Sequence, residues 1–101
     1  MIIQKYCKSE ISPYHNNMYI IHYNQIFYDK IGAINTSYHI FQSRIFGLTY
    51  ANYLKMLRDN YNAIIIGKGH RYPVAYFKNI EDINKIIYEL NKRFTTLFEN
   101  L

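Results

Sequence analysis

The run Asn-Ala-Ile-Ile-Ile-Gly-Lys-Gly-His-Arg-Tyr-Pro-Val-Ala-Tyr-Phe-Lys-Asn occupies positions 62–79. Two apolar stretches, 63–66 and 74–77, flank a tip that holds Gly67 and Gly69. β-Branched and aromatic runs around a glycine-rich break predict a β-hairpin. Glycine supplies the positive φ that such a tip needs. Lys68, His70 and Arg71 then sit on an exposed cationic finger, with Tyr72 beside them and Lys78 at the end of the second arm. The Gly67-Lys68-Gly69 segment is not a phosphate loop. That device needs a helix N-terminus directly after the glycines, whereas here Tyr72-Pro73 and a second apolar run follow.

Two helices are predicted just before the hairpin. Asn35 or Thr36 can cap a helix running to about Phe46, with Tyr38, Phe41, Ile45 and Phe46 on one face and His39, Gln42 and Ser43 outward. Gly47 stands where a helix ends in a left-handed residue. Thr49 then caps a second helix over 49–60. Its apolar face is Tyr50, Tyr53, Leu54, Leu57 and Tyr61, and its outer face is Asn52, Lys55, Arg58 and Asp59.

After the hairpin, Asn79 is an N-cap, and Glu81 and Asp82 suit the positive end of a helix dipole. Ile80, Ile83, Ile86, Ile87, Leu90, Phe94, Leu97 and Leu101 recur at three- and four-residue spacing. That stripe predicts a long helix lying across a sheet.

The N-terminal part is less regular. Residues 2–7 read as a short strand with Ile3 and Cys7 inward, and 9–17 as a loop around Pro13. Residues 19–28 are β-branched and aromatic, interrupted by Asn24-Gln25. They form one long strand or a hairpin turning at those two residues, and the hairpin is preferred because Asn tolerates left-handed turns. The fold class is therefore α+β: one small domain with an antiparallel sheet and about three helices.

At 101 residues one core is feasible. Half the residues are hydrophobic, which excludes a disordered chain. The apolar runs are too short to span a bilayer, so no membrane partner is expected. The N-terminus lacks a basic segment followed by an apolar one, and a lone Cys7 cannot form an internal disulfide. Both point to an intracellular, cytoplasmic setting.

The net charge of +5 is unevenly placed. Residues 30–78 hold seven basic side chains against the single acid Asp59, while 1–29 is neutral and 79–101 is net acidic. A concentrated positive field raises encounter rates with polyanions or acidic surfaces. Ile, Asn, Lys and Tyr make up 48 of the 101 residues. All four have AT-rich codons, so nucleotide bias is preferred to an aromatic interface as the source of the twelve tyrosines.

Enzymatic chemistry is not expected, and neither is a cofactor. His15, His22, His39 and His70 are not paired at ligand spacings, and one cysteine makes no zinc knuckle. Cys7 with His22 and Asp29 shows no sign of an activated thiolate. Glu81 and Asp82 are explained by capping.

Helix, glycine turn, helix and basic hairpin is the order of a helix-turn-helix with a wing. On that basis the 49–60 helix enters the DNA major groove. Asn52, Lys55 and Arg58 meet bases or phosphates there, and Lys68, His70 and Arg71 meet the backbone. Arg44 and Lys78 add to the same basic region, and DNA is preferred to RNA. A compact α+β domain uses the same order of elements without binding anything.

The runs Gly-Leu-Thr-Tyr-Ala-Asn-Tyr-Leu-Lys-Met-Leu-Arg-Asp-Asn-Tyr-Asn-Ala (47–63), Ile-Gly-Lys-Gly-His-Arg-Tyr-Pro-Val (66–74) and Tyr-Phe-Lys-Asn (76–79) resemble small uncharacterised basic proteins of phages of AT-rich hosts. The resemblance covers the second half of the chain and carries no motif with an assigned role. It implies one of two jobs, regulating DNA or blocking host defences, CRISPR-type complexes included. The second would make the chain an inhibitor of a host protein or nucleoprotein effector, anchored by exposed tyrosines. Tyr14, Tyr19, Tyr23, Tyr28 and Tyr72 are the candidates. A homodimer through an edge strand from residues 1–28 is a further option.

Overall fold

The computed structural model describes residues 4–15, 17–32, 38–67 and 72–99. The elements run β1 (Cys7–Ile11), β2 (Tyr19–Tyr23), α1 (Gln25–Gly32), α2 (Tyr38–Arg44), α3 (Tyr50–Tyr61), β3 (Ile64–Ile66), β4 (Val74–Tyr76) and α4 (Ile80–Glu99). The α+β class holds, with four helices among the described residues rather than about three. The expected single sheet is two antiparallel ribbons, β1–β2 and β3–β4. One bridge joins them, where Tyr19 and Phe77 exchange N–H···O bonds of 2.7 and 2.9 Å.

The hairpin at 62–79 forms as its sequence predicts, with Ile64 opposite Tyr76 and Ile66 opposite Val74. Its tip, residues 68–71, lies outside the described residues. α3 is fixed at both ends by local chemistry. The Thr49 hydroxyl accepts from the Asn52 N–H at 3.2 Å, and Asn62 closes the helix with φ +59°. The turn before it uses Gly47 at φ +70°. The Gly47 N–H donates to the Arg44 carbonyl and the Leu48 N–H to the Ser43 carbonyl, the paired bonds of a Schellman ending.

Two expectations fail at the start of the chain. The strand placed at 2–7 runs instead from Cys7 to Ile11, in register with Tyr23 to Tyr19. Residues 1–3, Ile3 among them, lie outside the described residues. β1 is mostly polar and is specified by its partners rather than by strand propensity. There is no hairpin at Asn24-Gln25, because α1 begins there. The Asn24 carbonyl accepts the first helical bond from the Phe27 N–H at 3.0 Å. Its own N–H donates to the Tyr6 carbonyl, and its side-chain amide to the Gln4 and Lys5 carbonyls. Phe27 and Ile31, one helical turn apart, are both buried.

α2 ends at Arg44, and its proposed caps Asn35 and Thr36 lie outside the described residues. Gln42 and Ser43, expected outward, are buried. Gln42 Oε1 accepts from the Tyr23 hydroxyl and the Ser43 hydroxyl donates to the Ile40 carbonyl, so both are satisfied inside.

α4 organises the core. Ile83, Ile86, Ile87, Leu90, Asn91, Phe94 and Phe98 are buried along one stripe. Each fully buried apolar side chain contributes ~1.5–3 kcal/mol, so this helix outweighs any other element. Ile80 and Leu97, assigned to the same stripe from spacing, stay more than a third exposed at its edges. One cluster links α4 to both ribbons and the other three helices.

Three phenols in or against this core resist ionisation. Burial and the hydrogen bond to the Glu99 carboxylate push Tyr6 up to about 12, and burial raises Tyr23 and Tyr53 well above the ordinary range. An unfolded chain ionises its phenols near ~10. The contribution of these phenols to stability is therefore intact below about pH 10 and is lost as pH rises through the interval where only the unfolded chain gives up those protons. On alkaline titration, tyrosinate absorbance from these three phenols is expected to rise cooperatively, coinciding with loss of helical ellipticity. A single phase near pH 10 with ellipticity retained would contradict it.

Candidate binding surfaces

The outer face of α3 is the expected one. Asn52, Lys55 and Arg58 are exposed, and Asp59 lies beside them. Asp59 is more than a bystander: its Oδ1 is 3.0 Å from Arg58 Nε, which spends part of that guanidinium's charge locally. α3 is tied to the hairpin at its first turn. The Tyr50 hydroxyl donates to the Pro73 carbonyl at 2.7 Å, and the Tyr50 and Tyr72 rings meet edge to face at 6.5 Å. Tyr72 is 39% exposed, and Lys78 is exposed after β4. Lys68, His70 and Arg71, the proposed finger, lie outside the described residues.

Arg44 belongs to a different surface. It closes α2 and faces α4, lining a groove of ≈ 510 Å³ with Lys92, Arg93 and Glu89. Phe41 and Leu97 supply apolar walls there. Arg93 is held in place. Its guanidinium lies 4.2 Å over the Phe46 ring, Nη1 donates to the Ile45 carbonyl at 3.3 Å, and Nε is 3.8 Å from Glu89. Arg44 and Lys92 form no ion pair among the described residues. The groove is therefore cationic with an apolar lining, suited to an anionic group attached to an apolar one.

Counting charge by segment hid this groove, because Lys92 and Arg93 fall in the net acidic stretch. Helical spacing holds the missing signal: positions 89, 92, 93, 96 and 97 share one face of α4.

The tyrosine candidates separate. Tyr14 is 78% exposed and Tyr28 39%, while Tyr19 is half-buried against the core. Tyr23 is buried at 4%, which removes it as a surface anchor. Tyr88, at 49%, was not among the candidates.

Cys7, His15 and His22 are engaged in the fold. Cys7 is buried, and desolvation pushes its thiol up and keeps it protonated. His22 Nδ1 pairs with Glu10 at 2.8 Å across the β1–β2 ribbon, and the His15 ring packs edge-on against Tyr76. Among the described residues no three His, Cys, Asp or Glu side chains converge as metal ligands, and no helix is long and apolar enough to cross a membrane. No protein-family model, no curated protein and no solved structure matches this chain.

Proposed function

We propose that this is a non-enzymatic binding protein that engages nucleic acid, DNA in preference to RNA, through α3 and the basic hairpin. The observation carrying this reading is that α3 presents Asn52, Lys55 and Arg58 to solvent while Tyr50 anchors the same helix to the hairpin. A helix and a hairpin fixed to each other present phosphate and base contacts in a set geometry. Affinity comes mainly from phosphate neutralisation and falls with salt.

The test is fluorescence anisotropy with labelled single- and double-stranded DNA and RNA across salt. Lys55→Ala/Arg58→Ala is expected to weaken binding on every sequence and to lower the salt slope by about 2, roughly one per lost phosphate contact. Lys68→Ala/Arg71→Ala tests the hairpin tip in the same way. Absence of binding at low salt would end this reading.

The α2–α4 groove favours a second reading, a phage-type inhibitor acting in the host cytoplasm on a defence protein or nucleoprotein effector. Arg44 and Lys92, which form no ion pair among the described residues, stand beside Phe41 and Leu97 and suit an acidic segment with an apolar anchor. Arg44→Glu/Lys92→Glu separates the two. It abolishes capture of a host effector under this reading, whereas under the first the Lys55/Arg58 pair has the larger effect.

A further inference from the structure

The α2–α4 groove holds more positive charge than its own carboxylate offsets. Among the described residues that line it, Arg44, Lys92 and Arg93 stand against Glu89 alone, three cations to one anion and a net +2. Glu89 is already engaged, its Oε2 lying 3.8 Å from Arg93 Nε. The excess therefore lies with Arg44 and Lys92, both exposed and neither in an ion pair among the described residues. The Thr96 hydroxyl is committed within α4, donating to the Lys92 carbonyl at 3.2 Å. Beside the two cations the lining turns apolar: Leu97 is exposed, Ile45 half-buried and Phe41 buried.

We propose that this groove binds a soluble phosphate monoester on a small apolar body, an aryl or short alkyl phosphate, with the phosphate at Arg44 and Lys92 and the body against Leu97 and Ile45. Charge selects the headgroup. A monoester carries about −1.5 to −2 at neutral pH, which matches the net +2, whereas a carboxylate or a phosphodiester brings one charge. The two cations suit it in different ways, Arg44 as a planar fork that meets phosphate oxygens bidentately and Lys92 as a compact point charge. The apolar wall selects the body, because inorganic phosphate leaves Leu97 and Ile45 in water. A volume of ≈ 510 Å³ lies within the ~300–1,000 Å³ of small-molecule sites. This site is separate from the α3–hairpin surface. It shares its groove with the effector reading but not the occupant.

The experiment is a titration of the full chain followed by amide ¹H–¹⁵N NMR, with phenyl phosphate, methyl phenyl phosphate, benzoate and inorganic phosphate as probes. Phenyl phosphate is expected to give saturable shifts at Arg44, Ile45, Lys92 and Leu97, with Kd on the order of millimolar for so small a ligand. The other three probes are expected to bind about fivefold more weakly, the first two for want of the second charge and the last for want of the ring. Arg44→Ala/Lys92→Ala is expected to weaken phenyl phosphate at least about fivefold, since exposed ion pairs are modest. Arg44→Lys keeps the charge, loses the fork and is expected to fall between. Lys85→Ala removes a cation of α4 outside the groove and is expected to stay within about twofold. Absence of saturable shifts at these amides would overturn the proposal, and so would benzoate or the diester binding as tightly as the monoester, or Lys85→Ala weakening it as much as the double variant. Binding to vesicles that carry phosphatidate, with no shifts from phenyl phosphate, would assign the headgroup to a lipid surface and overturn it as well. If phenyl phosphate fails while Arg44→Glu/Lys92→Glu still abolishes effector capture, the effector reading stands and this one falls.

Discussion

Asn91→Ala is expected to remove ~3–5 kcal/mol of stability, enough to leave a domain of this size partly unfolded at room temperature. Asn91 lies on the apolar stripe of α4, 3% exposed, and makes four hydrogen bonds there. Its Oδ1 accepts from the Tyr6 N–H at 2.8 Å and the Cys7 N–H at 3.1 Å. Its Nδ2 donates to the Cys7 carbonyl at 2.9 Å and the Ile87 carbonyl at 3.0 Å. Truncation strands two buried N–H groups and one buried carbonyl contact at the start of β1, and each such orphan costs ~1–3 kcal/mol. Asn91→Leu restores volume but not those partners, so it is expected to be no better than the alanine variant. Urea denaturation followed by ellipticity measures the loss. Hydrogen exchange at the Tyr6 and Cys7 amides locates it, because protection there should fall first. A loss below about 1 kcal/mol, with those amides still protected, would show that β1 is held by other means.

Phe94→Ala ranks second, at ~3–5 kcal/mol. Phe94 is fully buried and meets five rings. Phe27 is at 4.9 Å and Phe98 at 5.8 Å between centroids, with Phe41 and Tyr6 at 6.1 Å and Tyr23 at 6.3 Å. Those partners come from β2, α1, α2 and α4 and from the residue just before β1, so a cavity there loosens several joints at once. The rings around it are large and mutually packed, and they cannot collapse into the space without leaving their rotamers. Phe94→Leu refills part of the volume and should recover a substantial share of the loss. The urea midpoint should drop at an unchanged m-value, since the folded state keeps its extent. A shift worth less than about 1 kcal/mol would mean that the cluster relaxes freely.

Both residues show how far the sequence could be read. Phe94 was legible, because it recurs at helical spacing with Ile83, Ile87 and Leu90. Asn91 sits on the same stripe, but an isolated polar residue there says nothing about a partner more than eighty positions away in the chain. Gln42 and Ser43 were misread for a related reason. Polar side chains default to solvent unless a distant partner satisfies them, and Tyr23 supplies that partner for Gln42. In the candidate surfaces, the exposed face of α3 followed from periodicity alone. The groove did not, because Arg44 and Lys92 come from different helices, brought together only by packing.

By itself the sequence determined the elements whose signals are local. These are the capped α3, the Gly47 ending, the β3–β4 hairpin and the long amphipathic α4. In each, the bond or contact that specifies the element lies within a few residues of the one that needs it. Tertiary structure decided the rest: that Asn24 starts a helix instead of a turn, that β1 begins at Cys7, that polar side chains enter the core, and that cations from α2 and α4 share one groove. Those outcomes depend on packing and on partners for buried polar groups, and both join residues that lie far apart along the chain.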